Sequence, residues 1–135
     1  MYSGKNLRVY ERIPFVSYLF CSVERPSDGK VIFEFPKCLL KNIGISGLFF
    51  ESSEIKKSIL HALLSGKYRL NLSLQCSHWP CFSTIKANLR WNKSSLFYLE
   101  SNKSGFGVEF FDLEKAEKEN IKDFILGQKL YHESR

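Results

Sequence analysis

Tyr68, Leu70, Leu72 and Leu74 alternate with Arg69, Asn71, Ser73 and Gln75. Successive side chains of an extended chain point to opposite faces, so this run predicts a strand with one face buried and the other in water. Shorter segments repeat the theme. Residues 16–23 (VSYLFCSV) and 31–35 (VIFEF) are rich in β-formers and flank the turn cluster Arg25-Pro26-Ser27-Asp28-Gly29-Lys30, where Asp28-Gly29 signals a hairpin. Residues 38–44 continue the sheet, and Leu48-Phe49-Phe50 resumes it after Gly44 and Gly47, two glycines that predict a turn or bulge able to approach a ligand. Residues 82–91 (FSTIKANLRW), 96–99 and 105–111 (GFGVEFF) supply further strands. Twelve Phe and six Tyr in 135 residues suit such a fold, because aromatics pack well on a pleated surface.

Two stretches carry the helical period. Ile55, Ile59, Leu60, Leu63 and Leu64 predict a short helix over 54–64, with Ser52 or Ser53 as N-cap and Gly66 ending it. Residues 114–125 predict a mostly polar helix with Ile121, Phe124 and Ile125 as its apolar stripe, lying against the sheet or its end. The tail from Gly127 is expected to fray. Short strands, hairpin turns and a closing helix predict an all-β antiparallel barrel or sandwich with a helical appendage. The length fits one domain, 1–135, with a core that needs no staples.

The first residues, MYSGKNLRVYER, hold no apolar segment of a signal peptide, and no apolar run reaches the roughly 20 residues of a membrane span. A cytoplasmic location is the resulting expectation, with Cys21, Cys38, Cys76 and Cys81 as reduced thiols. Catalysis has no visible basis: there is no GxSxG, HExxH or DxD-type set, no P-loop and no dinucleotide-binding glycine pattern. Cys76, His78 and Cys81 supply three soft ligands without a second pair, so a thiol pair flanking a turn is the favoured reading and no cofactor is expected.

The net charge of +6 points to an anionic partner. Lys86, Arg90 and Lys93 around Trp91 could hold single-stranded nucleic acid. Alternation there sets Lys86, Asn88 and Arg90 opposite Ala87, Leu89 and Trp91, which reads instead as a solvated face backed by core, and nucleic acid is not favoured. Arg8 and Arg12, four residues apart in LRVYERIPF, are the more specific feature. Arginine is always ionised, and its planar fork of donors suits phosphate and the O6/N7 edge of guanine. In an extended arm over 1–15 both guanidinium groups fall on one side, and Pro14 favours extension.

Arg8-Val9-Tyr10-Glu11-Arg12 resembles the RxxxR motif of PilZ domains, the bacterial receptors for cyclic di-GMP. Asn42-Ile43-Gly44-Ile45-Ser46-Gly47 sits where that family carries [DN]xSxxG, and Gly105-Phe106-Gly107-Val108-Glu109-Phe110 is similar to its last strand. The three motifs occur in the family's order over about residues 7–126. The resemblance implies a six-stranded antiparallel barrel over about 16–112, a short internal helix, and a C-terminal helix over about 114–126. It implies a receptor and not an enzyme, relaying the level of cyclic di-GMP to a protein partner in motility, exopolysaccharide production or related surface behaviour. Arg8 and Arg12 would grip phosphate and guanine, and Asn42 would hold a guanine edge. Gly44, Ser46 and Gly47 would complete the ligand site, Gly47 by letting backbone approach. The sequence departs at Gly44, where the family has serine, and one lost hydrogen bond costs about 1–3 kcal/mol. Leu7 also stands where many members carry another arginine. A degenerate module that binds only protein is therefore the alternative.

Overall fold

The computed structural model describes residues 13–35, 37–53, 55–74, 84–93 and 103–133. Among the described residues there are seven strands: β1 Ile13–Arg25, β2 Lys30–Glu34, β3 Cys38–Ile43, β4 Gly47–Ser53, β5 Arg69–Leu74, β6 Ile85–Lys93 and β7 Lys103–Phe110. Two helices accompany them there, α1 Lys57–Leu64 and α2 Lys115–Glu133. All pairings are antiparallel, and the order β1-β3-β4-β7-β6-β5 closes through β1–β5 into a six-stranded barrel. β2 lies outside it, on the edge of β1.

The length of β1 makes closure possible. Residues Ile13 to Leu19 pair with β3, whereas Leu19 to Glu24 pair with β5 on the other edge. Leu19 belongs to both ladders. The β1–β2 turn forms as the Asp28-Gly29 signal predicts: Gly29 adopts φ 73°, and its N–H donates to the Arg25 carbonyl at 2.7 Å. Arg25 closes the loop by donating from Nε and Nη2 to the two Asp28 carboxylate oxygens at 3.1 and 2.7 Å.

Alternation fills the barrel. Leu70 and Leu72, Ile85, Ala87 and Leu89, Phe106 and Val108, Leu48 and Phe50, and Cys21 and Val23 all point inward and are buried. Phe50 and Phe106 stack at 5.0 Å, and Phe35, carried in just after β2, leans on both at 5.7 and 5.3 Å. Helix α2 buries Ile121, Phe124 and Ile125, the predicted stripe, and Phe124 meets Phe15 of β1 edge-on at 5.0 Å. The start of α2 carries one half of a capping box: Glu114 N–H donates to the Glu117 carboxylate at 2.9 Å.

Several boundaries differ from the sequence expectation. Ser52 and Ser53 end β4 and do not cap α1, which begins after Lys56; Ser52 is buried and donates from Oγ to the Lys37 carbonyl at 2.6 Å. Residues 13–15, expected in the arm, already belong to β1. Helix α2 runs through Glu133, so the tail expected to fray continues it. The strand expected over 96–99, the turn over 77–80 and Cys76, His78 and Cys81 lie outside the described residues.

One polar cluster binds three strands together on the outer face. Glu24 of β1, 6% exposed, accepts hydrogen bonds from Asn71 Nδ2 (2.9 Å), Lys86 Nζ (2.9 Å) and Arg69 Nη2 (3.3 Å). Burial pushes its carboxyl up, but the bonds from Asn71, Lys86 and Arg69 outweigh it and leave Glu24 below the ordinary glutamate value. A depressed carboxyl contributes stability above its unfolded pKa, and the contribution is lost as pH falls through the folded pKa. Glu24→Gln is therefore expected to lower stability at pH 7 by about 1–2 kcal/mol. The difference from the parent should shrink as pH drops below 4.5, the ordinary value. Urea midpoints at pH 7 and at a series of pH values below 4.5 check this.

Candidate functional site

Two β-bulges create the outward face that carries the motif residues. In β3, Leu40 faces Phe50 inside the barrel, and the register shift at Lys41 then sets Asn42 opposite Phe49. Simple alternation would turn Asn42 inward with Leu40; the extra residue turns it out. In β6, Leu89 faces Val108, and a second shift at Arg90 sets Trp91 opposite Gly107. Trp91, expected on the core side, thus stands outside at 39% exposure. Bulges re-aim side chains in this way, often beside functional sites.

Pro14, Asn42, Phe49, Gly107 and Trp91 consequently form one continuous cross-strand row over β1, β3, β4, β7 and β6. Phe49 and Trp91 stack at 5.2 Å with an 18° interplanar angle, making a shelf of two rings. Gly107 permits it: a Cβ there would lie 2.1 Å from the indole ring. Beside the shelf, the Asn42 Oδ1 is buried and has no hydrogen-bond partner among the described residues. A buried amide oxygen left without a donor costs free energy that a ligand's N–H could recover.

The turn between β3 and β4 holds the other motif residues. Gly44 N–H donates to the Gly47 carbonyl at 2.8 Å, and the exposed Ser46 accepts at its carbonyl from Phe110 N–H at 2.8 Å. Gly47 is buried against β7: a Cβ on it would lie 2.1 Å from the Val108 carbonyl oxygen. Close approach at Gly47 is thus required by the neighbouring strand. Ser46 borders a cavity of about 540 Å³ together with Glu109, Asp112 and Lys118. Asp112 has φ 56°, the left-handed turn that leads from β7 into α2.

Arg8 and Arg12 lie outside the described residues. Ile13, which comes directly after Arg12, pairs with Ile43, so the chain enters the barrel next to Asn42. The structure therefore brings Asn42, Gly44, Ser46 and Gly47 to one end of β3 and β4, and it adds Phe49 and Trp91, which were not among the expected ligand residues, over Gly107 of the last-strand motif. The signal for Trp91 was its place among cations, but the bulge that exposes it leaves no mark in the alternation. A larger opening of about 810 Å³, bordered by Tyr18, Phe20, Glu34, Lys37 and Glu51, contains none of the motif residues. Among the described residues no group of three or more His, Cys, Asp or Glu could hold a metal ion, and no helix is long and apolar enough to cross a membrane.

No protein-family model matches the sequence, and no curated protein matches it significantly. Solved structures do. The Bacillus subtilis inhibitor of motility, MotI/DgrA, superposes with a TM-score of 0.57 at 16% identity, over 90% of this chain and 51% of that one. YcgR from Escherichia coli, in complex with c-di-GMP, gives 0.55 at 11% identity, over 93% of this chain and 47% of that one. The chain spans about half the length of each. Both are PilZ-domain proteins, and this chain shares their barrel fold, the fold that the three short motifs implied.

Proposed function

We propose that this chain is a cytoplasmic receptor for cyclic di-GMP that passes the second-messenger level to a protein effector, without catalysing a reaction. The observation that carries the reading is the unpartnered Asn42 Oδ1 beside the Phe49–Trp91 shelf, at the point where the chain bearing Arg8 and Arg12 enters the barrel. A guanine has a π-face for the shelf and N–H donors for the amide oxygen. Its phosphates call for the arginine forks, and charge-assisted bonds of that kind are the strong ones. YcgR, which shares this fold over about half of its length, was solved in complex with c-di-GMP, and that supports the reading. Closure of the arginine arm over the ligand would cover the barrel face beside the start of β1, where Phe15 contacts Phe124 of α2, and so give the effector a surface that depends on ligand.

Base stacking on an aromatic is worth about 1–3 kcal/mol. Trp91→Ala is therefore expected to weaken cyclic di-GMP binding by about 10-fold or more. Calorimetric titration of both proteins measures it; equal affinities would remove the shelf from the site.

The second reading, a PilZ module that binds only protein, is favoured by Gly44. It offers no hydroxyl where the family has serine, and its N–H is already used by Gly47. A partner captured equally with and without nucleotide, and equally by the Arg8→Ala and Arg12→Ala variants, would support that reading.

A further inference from the structure

Glu109 stands on the outward face of β7, opposite Gly47 of β4 and Asn88 of β6. It is two residues from Gly107, roughly 7 Å along the strand from the Trp91 shelf. Its side chain is 47% exposed and borders the cavity that also takes in Ser46. Arg90, the bulged residue, sends both its Nε, at 2.6 Å, and its Nη2 to a single carboxylate oxygen, Oε1. Oε2 has no partner among the described residues.

An ion pair this exposed contributes little to folding. A carboxylate next to a site for a phosphorylated ligand also repels that ligand, so its presence there needs a compensating contact. Guanine offers one. Its Watson–Crick edge presents two adjacent donors, N1–H and N2–H₂, whereas adenine presents an acceptor at N1 beside its amino group. A carboxylate is an acceptor at both oxygens. Facing guanine it finds donors; facing adenine it sets lone pair against lone pair. Sites built to hydrogen-bond a particular group reject the analogue lacking it far more strongly than apolar pockets do.

We propose that Glu109 makes this site select guanine over adenine, with Arg90 orienting the carboxylate so that its open oxygen faces a base on the Phe49–Trp91 shelf. The inference rests on the receptor reading. It extends the site beyond the three motifs to a residue that lies in the last of them only as a variable position.

The test is calorimetric titration of the full chain with cyclic di-GMP and with cyclic di-AMP, for the parent, Glu109→Gln and Glu109→Asp. Glutamine keeps the size but replaces one acceptor with a donor. The parent is expected to prefer cyclic di-GMP, and Glu109→Gln to lose about 10- to 100-fold in its affinity while cyclic di-AMP changes little. Glu109→Asp, which keeps both acceptors, is expected to retain part of the preference, and an unchanged melting temperature would show all three folded. A parent that binds cyclic di-GMP, with the same ratio between the ligands or tighter binding in Glu109→Gln, would overturn the role of Glu109 and leave the receptor intact. A parent that binds neither dinucleotide would overturn the receptor reading and this one with it.

Discussion

With alanine at both Arg8 and Arg12, cyclic di-GMP binding is expected to fall by about two to four decades, while the melting temperature stays at the parent value. The magnitude comes from two charge-assisted contacts at about 1.5–3 kcal/mol each, and each 1.4 kcal/mol is a factor of ten. Either single substitution should cost roughly one to two decades. The stability should not move, because both residues precede Ile13, where the first barrel strand begins. Isothermal calorimetry paired with thermal unfolding reads both quantities. Loss of binding together with loss of fold would mean that the arginines are structural, and affinity unchanged in the double variant would refute the proposed grip on phosphate.

Gly47→Val is expected to act in the opposite sense, on the fold first. Its first added atom would lie 2.1 Å from the Val108 carbonyl oxygen and 3.2 Å from the Glu109 Cα, both backbone atoms that cannot rotate away. β4 and β7 are joined by seven register pairs from Gly47–Glu109 to Ser53–Lys103, so relief requires shifting strands and not one side chain. Overpacking costs about 1–3 kcal/mol, occasionally more, and rigid backbone neighbours place this site at the upper end. For a domain held by about 5–15 kcal/mol that is a large part of the total. Urea unfolding should show the midpoint falling sharply, and binding should weaken only as far as the folded fraction falls. A variant of parental stability with abolished binding would show that this glycine serves the ligand and not β7.

The sequence was most legible where period and turn chemistry act locally. Alternation in residues 68–75 placed Leu70 and Leu72 inside, Asp28-Gly29 placed the first hairpin, and the stripe of Ile121, Phe124 and Ile125 placed the docking face of α2. The motif order pointed to the right barrel. The features that stayed hidden depend on long-range pairing. The bulges at Lys41 and Arg90 each add one residue to a strand and flip the side chains beyond it, so Asn42 and Trp91 face outward although a strict period of two turns them in. The cap expected at Ser52 or Ser53 failed because pairing with β7 extends β4 through both residues. The division of β1 between β3 and β5, which closes the barrel, is likewise a tertiary fact that no local pattern in residues 13–25 encodes.

Calorimetric titration of the unmodified chain with cyclic di-GMP, with GTP and GMP as controls, tests the receptor reading most directly. Saturable one-phase or two-phase binding in the micromolar range or tighter, absent for both controls, is the predicted result. No heat up to millimolar ligand, with a melting temperature that cyclic di-GMP does not raise, would contradict it and leave protein recognition by the barrel as the remaining reading.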